Sequence, residues 1–195
     1  RYTGILRKTY RIVPNNELNV HWLEVNEEGQ PVARYQKDGS IPKFQVVDAD
    51  GNVLKNRIDY TFKTKNNHEL GMMSLEITGR GNYKGYEFRT ELEIIPADIS
   101  QATMIVHDRK YSEESDGWKS PVQIKDSNGR PLAAGKDYEA ELVYSYIDME
   151  QTPVPAVGTI ISVTATGKNN YAGSQMTGTY RICKWDLKDL IITID

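Results

Sequence analysis

The sequence predicts an all-β protein built as two tandem β-sandwich modules. Three observations carry that expectation: one set of motifs occurs twice, apolar residues alternate with polar ones, and turn residues recur at short intervals. A length of 195 residues fits one large domain or two small ones. With 38% hydrophobic and 26% charged residues, the balance is that of a water-soluble globular chain. The 24 Lys+Arg against 27 Asp+Glu leave a net charge of −3 and no basic stripe, so no nucleic-acid partner is expected. No apolar run approaches the roughly 18 residues of a membrane span, so no membrane insertion is expected either. The single cysteine, Cys183, gives neither an internal disulfide nor a cysteine-based zinc cluster.

The repeat sets the organisation. Gly79-Arg80-Gly81-Asn82-Tyr83-Lys84-Gly85 returns as Gly167-Lys168-Asn169-Asn170-Tyr171-Ala172-Gly173, at offset 88. Asp48-Ala49-Asp50-Gly51-Asn52-Val53-Leu54 returns as Asp126-Ser127-Asn128-Gly129-Arg130-Pro131-Leu132, and Asp59-Tyr60 as Asp137-Tyr138, at offset 78. The growth of the offset from 78 to 88 places ten extra residues between Tyr138 and Gly167. Module one is expected over 14–96 and module two over 97–184. Residues 1–13 read as the closing strand of a preceding repeat or the first strand of module one, with Tyr2-Thr3-Gly4 as a closing motif. Residues 185–195 read as the opening strand of a following repeat.

Within each module the elements follow in order. Strands are expected over 5–13, 17–25, 43–47 and 58–64, short stretches separated by Gly, Asn, Asp and Pro turns. Met73, Leu75 and Ile77 then alternate with Ser74, Glu76 and Thr78, the period of a half-buried strand. At the glycine corner, Gly81 and Asn82 are expected to tolerate positive φ, as are Asn169 and Asn170 in the second copy. Gly85 and Gly173 are expected to restart the chain without a side-chain clash. Tyr83 and Tyr171 should cap the core and hydrogen-bond the backbone, as in a tyrosine corner. Phe88, Leu92 and Ile94 form the inner face of the next strand. The second module repeats this with strands at 102–107, 121–125 and 138–146, then Ile161, Val163 and Ala165, then Met176, Tyr180 and Ile182. A last strand is expected at 189–194. Nothing shows sustained helical periodicity.

The sequence resembles bacterial immunoglobulin-like repeats of Gram-positive surface or secreted proteins. The carriers are Asp59-Tyr60, Thr78-Gly79 and Gly81-Asn82-Tyr83-Lys84-Gly85, matched by Asp137-Tyr138, Thr166-Gly167 and Asn169-Asn170-Tyr171-Ala172-Gly173. The resemblance implies an immunoglobulin-like sandwich, an extracellular setting, and a stalk, spacer or adhesive role. It supplies no shared catalytic residues and no cofactor.

Other motifs have plainer readings. Asp48 to Asn52 lacks the EF-hand spacing, its glycine standing fourth, and reads as a turn. Glu113-Glu114-Ser115-Asp116-Gly117 reads as a solvated loop. His21, His68 and His107 have no metal-ligand spacing, and no metal site is expected. Cys183 occupies the place of Ile95 and reads as a small buried residue. No Gly-x-Ser-x-Gly elbow occurs, and no catalytic residue is assigned. Trp22 reads as core and Trp185 as packing at a module boundary. Trp118 follows the acidic loop and either packs or serves as a platform for a sugar ring. The insertion, about Ser145 to Val157, either binds or covers a sheet edge.

The leading expectation is a non-catalytic stalk or spacer, surface-anchored or secreted, whose partners are neighbouring repeats. The alternative is a glycan- or host-protein-binding adhesin module, using Trp118, Tyr146 and Asp148. A third is an accessory region of a large secreted carbohydrate-active enzyme.

Overall fold

The computed structural model describes residues 17–186. The expected strands at 5–13 and 189–194, the Tyr2-Thr3-Gly4 motif and residues 187–195 of the last segment lie outside the described residues. The chain divides between Ile95 and Pro96 into two compact units. Among the described residues the regular structure is all strand, apart from three short 3-10 turns.

Unit one holds β1 (Leu18–Trp22), β2 (Val32–Arg34), β3 (Phe44–Asp48), β4 (Tyr60–Lys65), β5 (Gly71–Gly79) and β6 (Glu87–Ile95). β1 and β3 form one antiparallel pair, and the other sheet runs β2-β6-β5-β4. Unit two holds β7 (Thr103–Val106), β8 (Arg109–Lys110), β9 (Val122–Lys125), β10 (Val143–Tyr146), β11 (Ile160–Thr166) and β12 (Gln175–Cys183). β7 pairs with β9, and the other sheet runs β8-β12-β11-β10. The strand order is therefore the same in both units. Each second strand lies parallel to its unit's last strand, Ala33 opposite Ile94 and Arg109 opposite Ile182.

Period two decides what is inside. Met73, Leu75 and Ile77 are buried while Ser74, Glu76 and Thr78 face outward, and Ile161, Val163 and Ala165 behave likewise. The core of unit one joins Leu18 and Val46 of one sheet to Ala33, Leu75, Leu92 and Ile94 of the other, which makes the unit sandwich-like. Fully burying one such aliphatic side chain is worth about 1.5–3 kcal/mol.

The repeated polar motifs close turns. Asp48 Oδ1 accepts from the N–H groups of Asp50 and Asn52, and Asp126 Oδ1 from those of Asn128 and Arg130. Asp59 and Asp137 accept from the N–H groups of Lys55 and Ala133 in the same way. Asp48 also accepts from the Asn52 side chain, and this bond, then the Asn52 backbone bond, holds its carboxyl below the usual range against the opposing effect of burial.

The glycine corner differs from expectation in three respects. Of those four residues, Gly81 and Asn169 take positive φ, at 57° and 51°, each as the first residue of a 3-10 turn, while Asn82 and Asn170 inside the turns do not. Gly85 and Gly173 are needed for their φ of 102° and 87° rather than for space, since a Cβ on Gly173 would meet nothing within 4 Å. The glycines held by close approach are Gly79 and Gly167, where a Cβ would lie 2.0 Å from Tyr83 O and 1.9 Å from Tyr171 O. The Tyr83 hydroxyl donates to Asp48 Oδ2 at 3.2 Å, a side chain rather than the expected backbone group. It ties the corner to the first turn.

The ten extra residues of unit two fall in two places. Tyr60 pairs with Gly79 and Thr61 with Thr78, without a break. Tyr138 bridges Gly167, but the next paired residues are Val143 and Thr164. Four residues on one strand thus face two on the other, a bulge of two residues that shortens the expected 138–146 strand. The other eight enlarge the hairpin loop between β10 and β11, which spans 147–159 against 66–70 in unit one.

Candidate functional site

The residues singled out for ligand binding gather in unit two. Trp118 lies between β8 and β9, and its loop is held on several sides. Arg109 Nη2 donates to Gly117 O at 3.0 Å, and the Tyr180 hydroxyl donates to Trp118 O at 3.0 Å. That hydroxyl also accepts from Ser120 N at 3.3 Å, while the Tyr144 hydroxyl donates to Ser120 O at 3.1 Å. Burial pushes the Tyr180 hydroxyl up to about 12, with the Ser120 N–H bond working against it.

The Trp118 indole is 7% exposed and packs on Ile161, Val163, Tyr180 and Ile182. Tyr144 and Tyr146 meet it edge-on, each at 5.9 Å between ring centroids. Lys119 Nζ stands 5.8 Å from the indole centroid, paired with Asp116 at 2.8 Å. The platform expectation for Trp118 is corrected: the ring is core, and no open face is left for a sugar. The cause is the two tyrosines of β10, which sequence separation hides.

Tyr146 is brought to Trp118, but its ring is spent on that contact and its hydroxyl donates to Thr152 O at 2.6 Å. Asp148 sits exposed on the loop with φ of 58°. The loop folds on itself: Thr152 Oγ1 donates to Val154 O, and Gln151 Nε2 donates to Tyr144 O on the edge strand β10. Its return arm continues the β11–β12 ladder through Gly158 N to Ile182 O at 2.7 Å. Ile147, Met149, Val157 and Ile160 remain exposed there.

Unit one fastens the corresponding loop differently. Ser40 N donates to Asn67 O, and Asn67 Nδ2 donates back to Ser40 O at 3.1 Å. Leu92 stands where unit two has Tyr180, at offset 88.

Trp22 is half-buried at the core edge, 6.0 Å from Phe44 and 6.5 Å from Phe88. Trp185, read as boundary packing, is 54% exposed, and its Nε1 donates to Tyr111 O at 2.8 Å. Beside it lies a depression of about 300 Å³ lined by Asp108, Arg109, Lys110, Ser112, Glu114 and Gly117. A wider one of about 660 Å³ lies on the outer face of the β4–β5–β6 sheet. There Lys63, Glu76 and Arg89 stand side by side across the strands, a solvated charged face without an aromatic ring.

The remaining motifs hold their plain places. The acidic loop is exposed, with Glu114 N bonded to Ser112 Oγ. Cys183 is half-buried rather than buried, its Sγ 3.8 Å from Asp108 Oδ2. His21 lies in β1 opposite Gln45, whereas His107 follows β7. Among the described residues no group of three or more His, Cys, Asp or Glu is placed to hold a metal ion.

Comparison with protein-family models finds no match, and comparison with curated proteins finds none either. The class defined by the fold is thus an all-β protein of two compact units with one strand order.

Proposed function

We propose that this chain is a non-catalytic extracellular spacer, made of tandem immunoglobulin-like modules of a bacterial surface-anchored or secreted protein. One observation carries the reading: the residues common to both units serve the fold, not a surface. Asp48 and Asp126 close one turn, and Asp59 and Asp137 the next. Tyr60 and Tyr138 fill the core, and Gly79 and Gly167 let the corner backbone pass. The outer faces differ: the cross-strand row Lys63, Glu76 and Arg89 in unit one gives way to Val143, Thr164 and Thr177 in unit two. A repeat kept for recognition would repeat a surface. In each unit the second strand lies parallel to the last, so a pull that reaches these two strands from opposite ends of the unit loads their ladder in shear.

The test is to stretch the chain between its ends in an optical trap. Two discrete unfolding steps are expected, each releasing about 250–300 Å for a unit of roughly 80 residues at about 3.3–3.6 Å per residue. Smooth extension without steps would refute the spacer reading.

A further inference from the structure

We propose that the depression beside Trp185 binds a neutral pyranose ring of a glycan. This goes beyond the spacer reading and stands independently of it. Of the three tryptophans, Trp118 is buried and Trp22 is half-buried, whereas Trp185 is exposed over more than half its surface. Its indole does not swing freely. The Nε1–H bond to Tyr111 O fixes the ring against unit two, so the cost of ordering it is met before any ligand arrives. An aromatic face held in this way suits the apolar C–H face of a sugar.

The polar lining supplies the second half of such a site. Glu114 and Asp108 offer carboxylate acceptors, Arg109 and Lys110 offer donors, and Ser112 offers a hydroxyl. Asp108 is positioned by the Arg181 N–H bond to its Oδ1 at 2.8 Å. The Arg109 guanidinium is held in the lining by the bond from its Nη2 to Gly117 O at 3.0 Å. Two cations and two carboxylates balance, so the lining favours neither a phosphate nor a polycation, and a hydroxyl-rich neutral ring fits that balance. A volume of about 300 Å³ lies at the lower end of ligand pockets and suits one ring rather than a long chain.

The experiment uses the 195-residue chain and follows indole N–H resonances while maltotriose, cellotriose, chitotriose or a galactose trisaccharide is added. Sialyllactose and glucuronic acid form a second arm. At least one neutral sugar is expected to shift the Trp185 resonance, with a Kd on the order of 1 mM for a single-ring contact. Trp185→Ala should weaken binding at least about tenfold while the melting temperature holds. Glu114→Gln should also weaken it, and remains informative if Trp185→Ala disturbs folding. The proposal is overturned if no neutral sugar shifts Trp185, if only the acidic sugars do, or if binding survives both substitutions.

Discussion

Tyr180→Phe isolates one hydroxyl that joins β12 to the Trp118 loop. The ring stays, so no cavity opens in the core. Two bonds are lost: the one donated to Trp118 O at 3.0 Å and the one accepted from Ser120 N at 3.3 Å. Both residues are buried, so a carbonyl and an N–H are left without a partner. At about 1–3 kcal/mol for each orphaned group, with some relaxation of the loop, the loss should be about 2–4 kcal/mol. For a unit of this size that lowers Tm by about 10–25 °C. The assay is urea unfolding followed by tryptophan fluorescence, with amide exchange to assign the loss to unit two. The same substitution should change the alkaline limb. The folded hydroxyl titrates near 12, and the unfolded one near about 10, so folding favours the neutral form. Its contribution is complete below pH ~10 and is lost as pH rises toward ~12. Tyr180→Phe should remove that part of the slope. A loss below about 0.5 kcal/mol, or one shared equally with unit one, would refute this account of the loop.

Three further outcomes are expected. Gly167→Ala forces a Cβ to within 1.9 Å of Tyr171 O, so backbone must move; a loss of about 3 kcal/mol or more should appear in urea unfolding, confined to unit two. Arg57 sits at φ 71° where the same turn of unit two has Gly135 at φ 76°, so Arg57→Gly should raise stability by about 0.5–1 kcal/mol by calorimetry, and a drop would show that the strain reading is wrong. Asp48 has a depressed pKa in the fold, so its contribution is complete above its unfolded value near about 4 and is lost as pH falls through the folded one. Acid titration of Asp48→Asn should therefore lack part of the wild-type fall in stability.

Much of the fold is legible in the chain because its causes are local. Alternation in 73–78 and 161–166 fixes which side chains go inside, since a strand has period two. The Asp-x-x-Gly turns could be read because each carboxylate bonds N–H groups two and four residues away. The strands β2 and β8 could not be read: three and two residues carry no periodicity, and their partners lie 61 and 73 positions further on. The ten-residue excess was countable, but its division into a bulge and a loop depends on the register between Val143 and Thr164.

The site shows the same division more sharply. Composition and spacing single out three tryptophans and cannot rank them, because exposure is a property of what packs around a ring. Tyr144 and Tyr146 bury Trp118 from β10, more than 20 residues later in the chain. Trp185 is fixed by a carbonyl 74 residues earlier, and the Asp108 to Glu114 segment comes to it only because β8 lies parallel to β12. The sequence alone determined the all-β class, the twofold repetition and the turns that shape each unit. Tertiary structure decided which tryptophan is core and which is open, because contacts between residues more than 20 positions apart are set by packing and register.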